Sequence, residues 1–106
     1  MNYINGAWGV RRNDFFSVSP RYQTTIEGFS QATTGEVNYA VDSARSAQKE
    51  WKRLSRVKRG EYIKRVARLV EDKYFKRLCY AISEETGKDS NEAIAEVNEA
   101  LHMAEY

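Results

Sequence analysis

Thr33 is followed three residues later by Glu36, and behind that pair Val37, Ala40, Val41, Ala44, Ala47, Trp51 and Leu54 recur at steps of three and four. A hydroxyl three positions ahead of a carboxylate satisfies two unpaired N–H groups at a helix start reciprocally. Apolar residues at that spacing share one face of a helix. A strand would scatter the series over both faces. The spacing therefore predicts a long capped helix with one side that has to be covered.

The same reading carries through the rest of the chain. Ser55 caps a second helix with the stripe Val57, Ile63, Val66, Ala67, Val70 and Tyr74, and Gly60 is its weak spot. Phe75, Leu78, Cys79 and Ile82 form a further stripe, as a third helix or a continuation of the second. Gly87 suits the position that ends it. Asp89 and Glu92 repeat the capping-box spacing ahead of Ala93, Ile94, Val97, Leu101 and Ala104, the face of a last helix. No Gly, Asn or Pro follows Ala104, so this last helix has no stop signal.

The first thirty residues read differently. Asn5-Gly6 between Tyr3-Ile4 and Ala7-Trp8 suits a two-residue hairpin turn, because both residues accept positive φ. Asp14 to Val18 reads as a second extended run, ended by Pro20, which cannot donate to a ladder. Thr24, Thr25 and Ile26 favour a third, with Gly28 as a place to bend. The expected architecture is an α+β fragment: N-terminal antiparallel strands followed by three to four amphipathic helices. Residues 1–31 form the β region and 32–106 the helical region of a single segment.

Composition narrows the class. Hydrophobic residues are 42% and charged residues 30% of the 106, a globular balance. No apolar run approaches the ~20 residues of a membrane span. Met1 to Gly6 lacks the charged and apolar regions of a secretory leader. A single cysteine fits a reducing compartment, so a cytoplasmic protein is expected. The net charge is only +2, but thirteen of the seventeen Lys and Arg lie between Arg45 and Arg77. Seven of the fifteen acids, with one Lys, lie between Glu84 and Glu105. A basic middle of this kind serves nucleic acid in some proteins and is a solvated helix surface in others.

Little here could do chemistry. Cys79 is the only thiol, and it lies on an apolar stripe, where core packing is expected. His102 is the only imidazole, and one His makes neither a metal cluster nor a triad. The six glycines are scattered and form no phosphate-binding loop. Glu84 and Glu85 are adjacent, so on a helix they diverge rather than face one another.

The chain also carries an ordered series of short blocks. Ile4-Asn5-Gly6 with Trp8, Ser19-Pro20, Ala32-Thr33, Ala40-Val41, Ala44-Arg45, Trp51 and Leu54-Ser55 come first. Glu85-Thr86-Gly87-Lys88, Glu92-Ala93, Glu96-Val97 and Tyr106 complete it. In order and spacing they resemble the N-terminal segment of the NAD(P)-dependent aldehyde dehydrogenases, over about residues 3 to 106. The chain departs from the family at Ser19, where Asn is usual, at Asp89, where Pro often stands, at Arg21-Tyr22-Gln23, and at Gln48, where an aromatic is common.

The resemblance implies an α/β parent enzyme that oxidises an aldehyde to a carboxylate. A cysteine thiolate attacks, hydride passes to NAD or NADP, and a glutamate activates water. All of those groups lie beyond Tyr106 in family order, so no catalytic or cofactor-binding residue is expected in this chain and no bound cofactor. Cys79 does not match the family thiol. The positions that resemble a structural monovalent cation site are Ser17 and Val18, through carbonyls, and Glu85. The partner implied is the rest of a dehydrogenase chain, with homo-oligomers through exposed apolar helix faces, no membrane and no nucleic acid. The alternative is a stand-alone small α+β module that uses its basic helical face to bind nucleic acid or an acidic partner.

Overall fold

A computed structural model describes all 106 residues. The first hairpin pairs β1 (Tyr3–Ile4) with β2 (Ala7–Trp8), Tyr3 opposite Trp8 and Ile4 opposite Ala7. Its turn is made by Asn5 at φ 52° and Gly6 at φ 79°, as the dipeptide predicts. The Tyr3 and Trp8 rings meet across the strands with centroids 4.9 Å apart. A second hairpin pairs β3 (Phe15–Val18) with β4 (Thr25–Phe29) in a separate two-stranded sheet. The Asp14 N–H donates to the Phe29 carbonyl at its open end, and the Ser19 N–H to the Thr24 carbonyl at its tip. Gly28 lies within β4.

The chain divides into two compact units, and the second hairpin belongs to both. Unit one holds Met1–Ser17 and Glu27–Ser55. Its helix α1 (Thr34–Trp51) begins with the expected capping box: Glu36 N–H donates to Thr33 Oγ1, and Thr33 N–H to Glu36 Oε2. Arg12 locks this cap to the preceding loop. Its Nη2 donates to Glu36 Oε2 at 2.9 Å and to the Gln31 carbonyl at 2.8 Å, and its Nε reaches Asp14 Oδ2 at 3.2 Å. The buried Ser30 hydroxyl accepts from the Arg12 N–H and donates to the Arg12 carbonyl. Nothing at the level of sequence spacing marks Arg12 for this role.

Unit two holds Val18–Ile26 and Arg56–Tyr106. Helix α2 (Arg56–Leu69) runs into a single π-helical turn (Val70–Tyr74), which leads directly into α3 (Phe75–Thr86). The stripe past Phe75 is thus a continuation with one wide turn, which takes up the shift in apolar register. Gly87, at φ +76°, ends α3 in the left-handed conformation, its N–H donating to the Ser83 carbonyl. Asp89 then caps α4 (Ser90–Glu105), accepting from the Asn91 and Glu92 N–H groups, while Glu92 accepts from the Asp89 N–H. Lys88 is ion-paired with Glu96 across this corner.

Helix α4 packs on both α2 and α3, and its Ala93 and Val97 are the only buried apolar side chains in the protein. Most of the other apolar stripes do not reach a core. Helix α1 buries none of its residues, and Val37, Val41 and Trp51 stay 49%, 44% and 39% exposed. The accessible surface is 8678 Å². Two separate globular bodies sharing the mass of this chain would expose roughly 7,300 Å². The excess, on the order of 1,300 Å², is more than one partner contributes to a standard protein interface.

Candidate functional site

The corner between α3 and α4 is the most elaborately built part of unit two. The hairpin tip rests on it. Ser19 is wholly buried, its hydroxyl accepting from the Tyr22 N–H, and Gln23 turns the chain at φ 56°. Pro20 lies so close to Gly87 that a Cβ there would stand 3.1 Å from its Cγ. Arg21 Nη2 donates to the Gly87 carbonyl at 3.3 Å and the Lys88 carbonyl at 3.5 Å, placing a cation at the negative end of α3. Inside the corner, Ser83 Oγ donates to the Lys88 carbonyl at 2.7 Å. The Glu85-Thr86-Gly87-Lys88 block therefore acts as a structural bracket. Its glycine answers both a backbone conformation and a close neighbour.

Beside this corner a groove of about 520 Å³ opens between α3 and α4. Phe75, Cys79, Tyr80 and Ile94 line it, and Lys76, Glu84 and Ser90 stand at its border. Cys79, expected as core packing, is half-buried here with a free thiol. The reason is that α4 covers α3 only through its own small buried face, leaving the flank of the Cys79 stripe open. A second, more polar concavity lies between α2 and α4, lined by Lys64, Arg68, Glu71, His102 and Glu105. His102 itself is exposed. The basic side chains of α2 surround a third, where the Arg65 guanidinium stands 4.4 Å over the Tyr62 ring.

The three residues expected to hold a cation lie on ordinary elements. Ser17 is half-buried and Val18 exposed, both in β3, and Glu85 is exposed near the end of α3. No group of three or more His, Cys, Asp or Glu side chains stands together to hold a metal. The perturbed titrations belong to the Arg12 lock. Glu36 is held below the usual carboxylate range, first by the hydrogen bond from the Thr33 backbone and then by Arg12. Arg12 is raised above its ordinary value, chiefly by its hydrogen bond to Glu36 and then to Asp14. Both shifts lie at a helix cap, so they mark a structural lock rather than an acid–base pair. No helix of the chain is long and apolar enough to cross a membrane.

Comparison with known proteins gives these blocks their place. The model of the aldehyde dehydrogenase family matches residues 9–106, so the chain belongs to that family. It is 28% identical over 105 residues to the NADP-dependent glyceraldehyde-3-phosphate dehydrogenase of Streptococcus equinus, which takes in 99% of this chain and 22% of the relative. It is 31% identical over 104 residues to the 1-pyrroline-5-carboxylate dehydrogenase of Staphylococcus saprophyticus, 97% of this chain and 20% of the relative. Identity to the malonate-semialdehyde dehydrogenase of Bacillus subtilis is 26% over 107 residues, 99% of this chain and 22% of the relative. The chain thus spans about a fifth of the length of the curated relatives it matches. What it matches is an N-terminal fragment of an aldehyde dehydrogenase. No solved structure matches it.

Proposed function

We propose that this chain is the N-terminal scaffold of an NAD(P)-dependent aldehyde dehydrogenase, which oxidises an aldehyde to the carboxylate. In this reading the segment supplies packing surfaces, and the groups of catalysis and cofactor binding come from sequence outside residues 1–106. The observation that carries it is the family match over nearly the whole chain, joined to a surface that exceeds that of closed domains. Within the enzyme a nicotinamide dinucleotide supplies the hydride acceptor. Two of the helix starts in this segment are closed to such a group. Helix N-termini attract pyrophosphate through free N–H groups, yet those of α1 and α4 are closed by capping boxes that each contain a carboxylate. Together with the family order of its motifs, this assigns the dinucleotide to other parts of the enzyme.

We place the intact protein in the cytoplasm, as a homo-oligomer that uses exposed apolar helix faces. Ser17 and Val18, through their carbonyls, and Glu85 are the proposed ligands of a monovalent cation there. The exposed Glu85 carboxylate supports its part in the set. Potassium should raise the thermal midpoint of the intact protein relative to choline, and Glu85→Gln should remove that difference. Failure of either result rejects the cation site.

The function is tested by expressing the complete gene product and following aldehyde-dependent reduction of NAD and NADP. A panel built on the relatives' substrates, glyceraldehyde 3-phosphate and malonate semialdehyde among them, is the natural start. Turnover with an aldehyde is the expected result. Absence of turnover across the panel, or tight NAD(P) binding by residues 1–106 alone, would refute the proposal.

A further inference from the structure

We infer that the groove between α3 and α4 is the seat of an apolar segment of the same polypeptide from beyond residue 106, an inference that rests on the dehydrogenase reading above. Phe75, Cys79 and Ile94 present carbon and sulfur surface to a space of about 520 Å³, and Ile94 is left 39% exposed. A volume of that size falls within the range of small-molecule sites, but such sites place a few polar groups to orient the ligand. Here the guanidinium at the rim, Arg21, is already committed to the Gly87 and Lys88 carbonyls. Lys76, Ser83, Glu84 and Ser90 also border the space, and the Ser83 hydroxyl is given to the Lys88 carbonyl, but the surface that faces it is mostly apolar and suited to hydrophobic side chains. The relatives run to about five times the length of this chain, so polypeptide of ample length is at hand to fill it.

Two measurements on the complete protein test this. In the first, Tyr80, which is 68% exposed beside the groove, is replaced by a photo-crosslinking benzoyl-phenylalanine, and the adducts are mapped by peptide mass spectrometry. The expected result is an intrachain cross-link to an apolar peptide beyond residue 106. A cross-link between two copies, or adducts confined to residues 1–106, overturns the inference. In the second, which needs no substitution, the alkylation rate of Cys79 is read on its own peptide in native buffer and in urea. Native Cys79 should react at least about tenfold more slowly, as expected of a site exposed only by local opening. Equal rates overturn the inference, as does protection that grows with protein concentration. Both measurements use the preparation assayed for aldehyde oxidation. An active enzyme with an open groove rejects the seat and keeps the function; an inactive one rejects the function.

Discussion

Gly87→Ala and Gly60→Ala are the same chemical change, and the structure predicts opposite signs for them. Gly87 sits at φ +76°, and an added Cβ would lie 3.1 Å from Pro20 Cγ. The left-handed conformation costs an L-residue about 1 kcal/mol or somewhat more relative to glycine. The contact demands a further small shift of the hairpin tip, so the total is about 1–2 kcal/mol. Gly60 lies inside α2 with nothing within 4 Å of an added Cβ, so alanine there should stabilise by about 0.5–1 kcal/mol through helix propensity. Amide exchange on the complete protein is the assay, read on peptides covering Ser83–Lys88 and Val18–Ile26. In Gly87→Ala both should open about five- to thirtyfold more readily, the factor that 1–2 kcal/mol implies. They should open together, because Pro20 and Arg21 tie the tip to the corner. Adding Pro20→Ala should recover only the contact part of the loss and leave the torsional part. Unchanged exchange in Gly87→Ala, or the same sign for both glycines, would refute the reasoning.

Three further outcomes follow from the caps and the small core. Glu36 has a folded pKa below its ordinary value of 4.5, so its stabilisation is present above that pH and is lost as pH falls through the folded value. Amide protection in the first turn of α1 should therefore decline below about pH 4.5, and Glu36→Gln should flatten that dependence; an identical pH profile in the variant rejects the Arg12 lock. Asp89→Ala removes the acceptor for two N–H groups and should cost about 1 kcal/mol by denaturant titration, with α4 exchange rising first. Ala93→Leu forces a larger side chain between α4 and its neighbours at a fully buried site and should cost about 1–3 kcal/mol, visible as a lower thermal midpoint.

Local instructions were legible in the sequence and tertiary ones were not. Asn5-Gly6, Thr33 with Glu36, Gly87, and Asp89 with Glu92 each act through atoms a few residues apart, and each adopts the geometry its spacing predicts. The Arg12 lock escaped notice because its partners Ser30, Gln31 and Glu36 lie up to 24 positions away and no periodicity connects them. The Arg21 contact with the α3–α4 corner spans 66 positions and was visible only as a departure from a family pattern. Cys79 illustrates a different failure. An apolar stripe states that a face is to be covered, but not by what, so a half-open groove and a closed core read alike.

That ambiguity is itself informative about α1. Its cap is complete and its stripe regular, yet within its own unit it meets little more than β1, and Val37, Val41 and Trp51 remain exposed. Helix α4 shows what coverage looks like in the same chain: two neighbours, and the small residues Ala93 and Val97 drawn into full contact. The two helices differ in company rather than in pattern. A helix whose ends are satisfied locally and whose face is not has been specified for an assembly larger than the unit that holds it, since tertiary packing of the apolar face supplies most of a helix's stability. Membership of a family whose curated relatives are about five times as long fits that requirement. The exposed stripe of α1 and the open groove at Cys79 are then two surfaces that the proposed enzyme has to cover, whether from its own chain or from a second copy.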